Sequence, residues 1–199
     1  MGSENVARGE EPAYLRHKRR RKIMSPTTSA KTSAPGRQPS RSDIHIVRDY
    51  PHRPEKIWCL LTDPELVPLW TSTGQGGRPV GFFPVVGTRF KYVAKPMPGW
   101  SGVVECEVLE VREPFLLRYT WLGGEKDDVT LVTNSLEPHE GGTRLTWDHT
   151  GFTGVGGFVV SRVLNNVRRK MLDVGFPAVL NNLDDEGKLR SGSPLEPKA

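Results

Sequence analysis

The chain has 199 residues, 36% of them hydrophobic and 26% charged, enough for one domain with a substantial core plus a tail. No apolar run approaches the roughly 18 residues of a membrane span, and the start carries no signal-peptide-like apolar stretch, so a soluble cytoplasmic protein is expected. The net charge of +5 is unevenly placed: residues 1–42 hold ten Lys/Arg against three Asp/Glu, the remainder 18 against 20, which leaves nucleic-acid binding by the domain without electrostatic footing.

Residues 1–42 read as a disordered tail, because few large apolar side chains are present to offset the entropy of ordering. The basic cluster His17-Lys18-Arg19-Arg20-Arg21-Lys22 is either a nucleic-acid or anionic-membrane contact or a solvated arm. Met24 follows the cluster and offers a second translation start. Gly2 does not begin a myristoylation motif, since Val6 stands where Ser or Thr is needed. Cys59 and Cys106 have no metal-ligand spacing, which fits a reduced, cytoplasmic protein.

The domain, 43–184, opens with a strand over Asp43–Tyr50, where Ile44 and Ile46 alternate with polar neighbours. Pro54 suits the first turn of a helix whose apolar face is Ile57, Trp58, Leu60 and Leu61. Asp63-Pro64 breaks it and predicts a second short helix, N-capped by Asp63 and ending near Trp70. Gly74–Gly77 reads as loop. Strands are predicted over Thr88–Ala94, Gly102–Val111, Phe115–Trp121, Val129–Leu136 and Thr143–Thr150, separated by Gly- and Pro-containing turns, as in an antiparallel meander. From Gly157 the period changes: Val160, Val163, Leu164, Val167 and Met171 recur at three and four residues, an amphipathic helix. Gly154-Val155-Gly156-Gly157 is read as its flexible lead-in. Gly175 and Pro177 predict a kink before Leu180 and Leu183. Residues 185–199 read as a flexible polar tail.

Strand alternation predicts which side chains share one face. The inward set is Phe90 and Tyr92; Val104, Cys106 and Val108; Leu117, Tyr119 and Trp121; Val132, Asn134 and Leu136; Leu145, Trp147 and His149. Glu105 and Glu107 alternate outward, which argues against paired acid–base work. Asn134 is an amide among apolar neighbours and needs a bond to protein, water or ligand. His149 is either a structural imidazole or a donor or proton acceptor at a pocket. Trp100 is either a gate over a cavity mouth or a plug for the sheet edge.

Two runs, Glu55-Lys56-Ile57-Trp58 continuing through Asp63-Pro64 to Leu69-Trp70 and Gly141-Gly142-Thr143-Arg144-Leu145-Thr146-Trp147 continuing to Gly151-Phe152, flank the strand-rich middle. With this element order they resemble the START-like (SRPBCC) superfamily, in the branch named after the C-terminal domain of the activator of the ninety-kilodalton heat-shock protein ATPase. The resemblance covers about Asp43 to Leu183. It implies an α+β helix-grip fold, a curved antiparallel sheet around a long C-terminal helix with a cavity between them.

A hydrophobic or aromatic small molecule is the ligand expected there, lined by Trp70, Phe90, Trp121 and Trp147, oriented by Tyr92, Tyr119, Asn134 and His149, and walled on the helix side by Val163, Val167 and Met171. A cyclase- or dehydratase-like enzyme with His149 as general acid or base is the alternative from the same superfamily. A chaperone-ATPase-activating interaction module is the third, although residues 1–42 are too short and polar for the separate N-terminal domain such activators carry. No nucleophile elbow, zinc-protease helix or phosphate loop occurs, and nothing requires a cofactor or metal.

Overall fold

Strict alternation of buried and half-buried residues along Gly142–Thr150 marks a strand with one face in the core, and the same pattern repeats around it. In a computed structural model describing residues 40–71, 76–124 and 128–195, seven strands form one antiparallel sheet. They are β1 (Ile44–Tyr50), β2 (Arg78–Val80), β3 (Arg89–Val93), β4 (Val103–Arg112), β5 (Leu116–Trp121), β6 (Thr130–His139) and β7 (Gly142–Thr150). Their order across the sheet is β1-β7-β6-β5-β4-β3-β2. The first strand thus reaches β7, pairing Ile44 with His149 and Tyr50 with Thr143, while the remaining neighbours are sequential. The basic cluster and most of the 1–42 tail lie outside the described residues.

β2 is absent from the sequence reading. Its run Arg78-Pro79-Val80 lies between glycines and contains a proline, which a sheet tolerates at an edge, where the missing N–H is not needed. On β4 the alternation fails at one point. The register with β5 shifts between Val108 and Glu110, so Leu109 is an extra residue and Val111, rather than Glu110, turns to the core.

Helix α1 (Pro54–Thr62) begins with Pro at its first turn and buries Ile57, Trp58, Leu60 and Leu61. The buried Lys56 ammonium donates to the Leu183 carbonyl at 3.0 Å, tying this helix to the chain's far end. The second helix, α2, is Val67–Thr71. Asp63 stands at its entry as expected: in extended conformation, its carboxylate accepts from the Glu65 amide at 2.8 Å and its carbonyl from the Val67 amide at 3.0 Å, the bonds of an N-cap, with the turn Pro64–Leu66 leading into the helix.

The long helix α3 (Gly154–Lys170) starts three residues before the predicted Gly157. Past Lys170 comes one π-helical turn, Met171–Gly175, in which the Phe176 amide donates to the Met171 carbonyl; α4 (Phe176–Leu180) then follows with Pro177 in its first turn. Where a kink is expected, the helix widens by one π turn. The 185–199 segment, expected to be flexible, packs through Leu195: Leu189 bridges to Leu183, the Arg190 amide donates to the Asn182 carbonyl at 2.9 Å, and Leu189 and Leu195 lie on the core.

The core sits between the sheet's inner face and α1, α2 and α4. Trp70 joins them, its indole edge-on to Trp147 at 6.2 Å and to Phe176 at 5.2 Å, its N–H donating to the Leu60 carbonyl at 2.9 Å. Such aromatic pairs contribute about 0.5–1.5 kcal/mol each beyond their buried area. By contrast α3 buries only Ser161 and Arg168. It stands off the sheet.

Candidate ligand site

The gap under α3 is a cavity of about 360 Å³, within the range of small-molecule sites. The sheet contributes Tyr92, Val104, Tyr119, Trp121 and Trp147, and α2 contributes Trp70. Val159, Val160, Val163, Leu164, Val167 and Arg168 come from α3, and Met171 from the π turn. Met97, Gly99 and Trp100 form part of the wall from the β3–β4 connection, where Met97 and Trp100 pair across a tight turn. Strand phase explains the sheet side: alternate residues point the same way, and neighbouring strands bring their inward aromatics together. Tyr92 lies 5.6 Å from Trp121 and 6.3 Å from Tyr119.

Of the residues singled out from the sequence, Trp70, Tyr92, Tyr119, Trp121, Trp147, Val163, Val167 and Met171 reach the cavity wall. Phe90, Asn134 and His149 do not. Phe90 is buried behind the wall, 5.4 Å from Tyr92 and 5.7 Å from Tyr119. Asn134 faces inward but is covered, beside the Tyr119 hydroxyl, and its Oδ1 accepts nothing. Burial holds both tyrosine hydroxyls protonated, far above the usual phenol range.

His149 is fully buried between Trp121, at 5.7 Å, and Phe152, at 4.5 Å. Its Nε2 lies 2.8 Å from the Thr130 Oγ1, whose own proton goes to the Trp121 carbonyl at 2.9 Å. The Thr130 oxygen must therefore accept, which puts the imidazole proton on Nε2 and leaves Nδ1 a bare lone pair without a partner. Burial first, and the Arg168 charge second, push the imidazole down to about 3. It is neutral at physiological pH.

Arg168 is the residue the sequence reading passed over. The signal was present: position 168 lies four after Leu164 and three before Met171, on the apolar stripe of the helix. Its side chain is 6% exposed. The guanidinium carbon lies 4.6 Å over the Trp121 ring and 5.3 Å from the Trp147 ring centre. Nη1 reaches the Met171 sulfur at 3.5 Å, a weak acceptor, and Nε has no partner. Among the described residues no carboxylate pairs with it. Desolvation lowers its affinity for the proton, yet a guanidinium stays charged in proteins. The Trp147 indole N–H, on the same wall, is also without a partner.

Among the described residues no three His, Cys, Asp or Glu side chains gather as a metal site needs, and no helix is long and apolar enough to cross a membrane. The outward glutamates of β4 are engaged on the opposite face, Glu105 with Lys91 at 2.9 Å and Glu107 with Arg89 at 3.1 Å.

A curved antiparallel sheet holding a long C-terminal helix over a cavity is the helix-grip architecture of START-like proteins. Residues 51–185 match the family described as Activator of Hsp90 ATPase homolog 1-like protein, and the chain belongs to that family. A solved structure of a Mesorhizobium loti protein is similar at 29% identity and a TM-score of 0.61, covering 71% of this chain and 98% of that one. A protein of Arthrobacter aurescens shares 18% identity at a TM-score of 0.61, over 73% of this chain and 90% of its own. An HSP90 activator from Plasmodium falciparum shares 20% at 0.51, over 66% of this chain and 91% of its own. The latter two show the fold alone. No curated protein matches the chain.

Proposed function

We propose that this protein binds a flat, largely apolar small molecule between the sheet and α3. The observation that carries the reading is the cavity itself, about 360 Å³ with aromatic side chains on the sheet side and aliphatic ones on the helix side. Val159 and Val163 line it while 56% and 57% exposed. A ligand under α3 would remove that apolar surface from water, at about 25 cal/mol per Å² before ordering costs. A cytoplasmic setting is part of the reading, on the cysteine usage alone.

Titration of the full-length chain with the neutral fluorophore N-phenyl-1-naphthylamine tests it. One saturable site is expected, weakened at least about tenfold by Val163→Trp, which fills the mouth from a position that tolerates bulk. Non-saturable binding, or saturable binding that Val163→Trp leaves untouched, would overturn it.

The enzymatic alternative loses its acid–base group, because His149 lies behind the wall and keeps its proton on the nitrogen bonded to Thr130. The interaction reading keeps one supporting observation: the first half of α3 exposes Val155, Phe158, Val159 and Val160 along one stretch, an apolar surface of the kind partners cover. Stimulation of an Hsp90-class ATPase by the purified chain would support it, and an unchanged hydrolysis rate would remove it.

A further inference from the structure

The structure assigns Arg168 as an anion receptor, and we infer that the ligand of this cavity is an aromatic or alicyclic molecule carrying one carboxylate that pairs with the guanidinium. The inference rests on the cavity being a ligand site and names the chemistry of its occupant.

The argument begins with what the two tryptophans do and do not satisfy. A cation over an indole ring is stabilised through the ring's negative face. The N–H bonds of Arg168 lie in the guanidinium plane, directed outward from its edge, and an indole face offers them at most a weak π contact rather than a lone pair. At that edge the structure supplies Met171 sulfur to Nη1 and no acceptor to Nε. A buried charge is ordinarily paired, because desolvation without a partner is expensive. The nearby ionisable groups do not supply an anion: burial keeps the Tyr92 and Tyr119 hydroxyls and the Cys106 thiol protonated. The missing partner is therefore an acceptor from outside the described chain.

Its shape follows from the donors. A planar guanidinium matches a planar carboxylate through parallel N–H to oxygen bonds. The remaining wall is apolar and aromatic, which suits a ring system attached to the carboxylate. The site thus separates into a polar end at Arg168 and an apolar remainder reaching the mouth at Val159 and Val163.

A matched pair of probes of nearly equal shape, 2-naphthoate and 2-naphthamide, tests this by quenching of tryptophan fluorescence at pH 7 with the full-length chain. Naphthoate is expected to bind at least about tenfold tighter than naphthamide, the effect of one charge-assisted bond pair. Arg168→Met should erase that preference by lowering naphthoate affinity to that of naphthamide, and leave the ligand-free melting temperature no lower than wild type, since it removes an unpaired buried cation. Arg168→Lys, which keeps the charge but loses the planar fork, should retain only part of the preference and serves if the Met variant does not fold. Equal affinities in the wild type mean that the guanidinium edge is merely hydrated, and overturn the inference while leaving the cavity as a neutral-ligand site. A preference that survives both variants places the anion elsewhere and overturns it too. Binding of neither probe removes the ligand-site reading and this inference with it.

Discussion

His149 gives its Nε2 proton to Thr130 at 2.8 Å because the Thr130 proton is already committed to the Trp121 carbonyl. A buried strand-to-strand polar relay is thereby complete on one side and open on the other, where Nδ1 finds no donor. The arrangement makes this imidazole a structural group that resists protonation.

A pH dependence follows with a definite sign. The folded-state value is about 3 against an ordinary 6.5. Above pH 6.5 both folded and unfolded chains hold His149 neutral, and its contribution is fully present. As pH falls below 6.5 the unfolded chain takes up a proton that the folded one refuses, so stability drops until about pH 3. By pH 5 the loss from this residue amounts to about 2 kcal/mol. Urea unfolding at pH 7 and pH 5 should show a drop that shrinks by about that amount in His149→Phe. An equal drop in both proteins would show that the imidazole is protonated in the folded state.

At the β6–β7 turn two adjacent glycines are needed for different reasons. Gly141 has φ of +80° with open space around it, whereas a Cβ on Gly142 would lie 2.2 Å from the Tyr50 carbonyl oxygen on β1. Gly141→Ala should cost about 1 kcal/mol, the left-handed backbone penalty. Gly142→Ala should cost more, about 2–3 kcal/mol, because backbone must move to relieve the overlap. Chemical denaturation gives both, and a reversed order would mean that the end of β1 yields easily.

Asn134 offers a substitution with opposing terms. Replacing it with Leu removes a buried amide oxygen that lacks a donor, relieving about 1–3 kcal/mol of desolvation, and sacrifices the polar contact of its amide with the neighbouring Tyr119 hydroxyl, at most about 1 kcal/mol. The expected outcome is a melting temperature equal to or above wild type. A clear fall would identify an internal partner for the oxygen, such as buried water.

Before Ser161, α3 has no buried residue. Its amides in 154–163 should exchange rapidly without ligand, and slow at least about tenfold under saturating probe, when apolar surface is covered and local opening becomes costlier. Exchange unaffected by saturation would mean that the helix does not contribute to closing the site.

Much of the architecture was legible because its signals are local. The inward phase of Leu117, Tyr119 and Trp121, or of Leu145, Trp147 and His149, follows from two-residue alternation alone. β2 escaped notice because three residues containing a proline carry no period, and only pairing to β3 makes them a strand. The Leu109 bulge is equally silent in the sequence, since an extra residue is defined against its partner strand. At the C-terminal end, polarity suggested a free tail, but Leu189 and Leu195 have an apolar surface to settle on that only the assembled core provides.

The sequence by itself determined the element order, the faces of the strands and the family resemblance, all of which depend on neighbours a few positions apart or on the order of short runs. The tertiary structure decided how far α3 stands from the sheet, and therefore that a cavity exists beneath it. It also decided that His149 lies behind Trp121 rather than at the wall, and that Arg168 arrives over two indole rings with no described carboxylate beside it. Those outcomes depend on which side chains from distant positions come together, and a buried charge is defined by the partners that do or do not reach it.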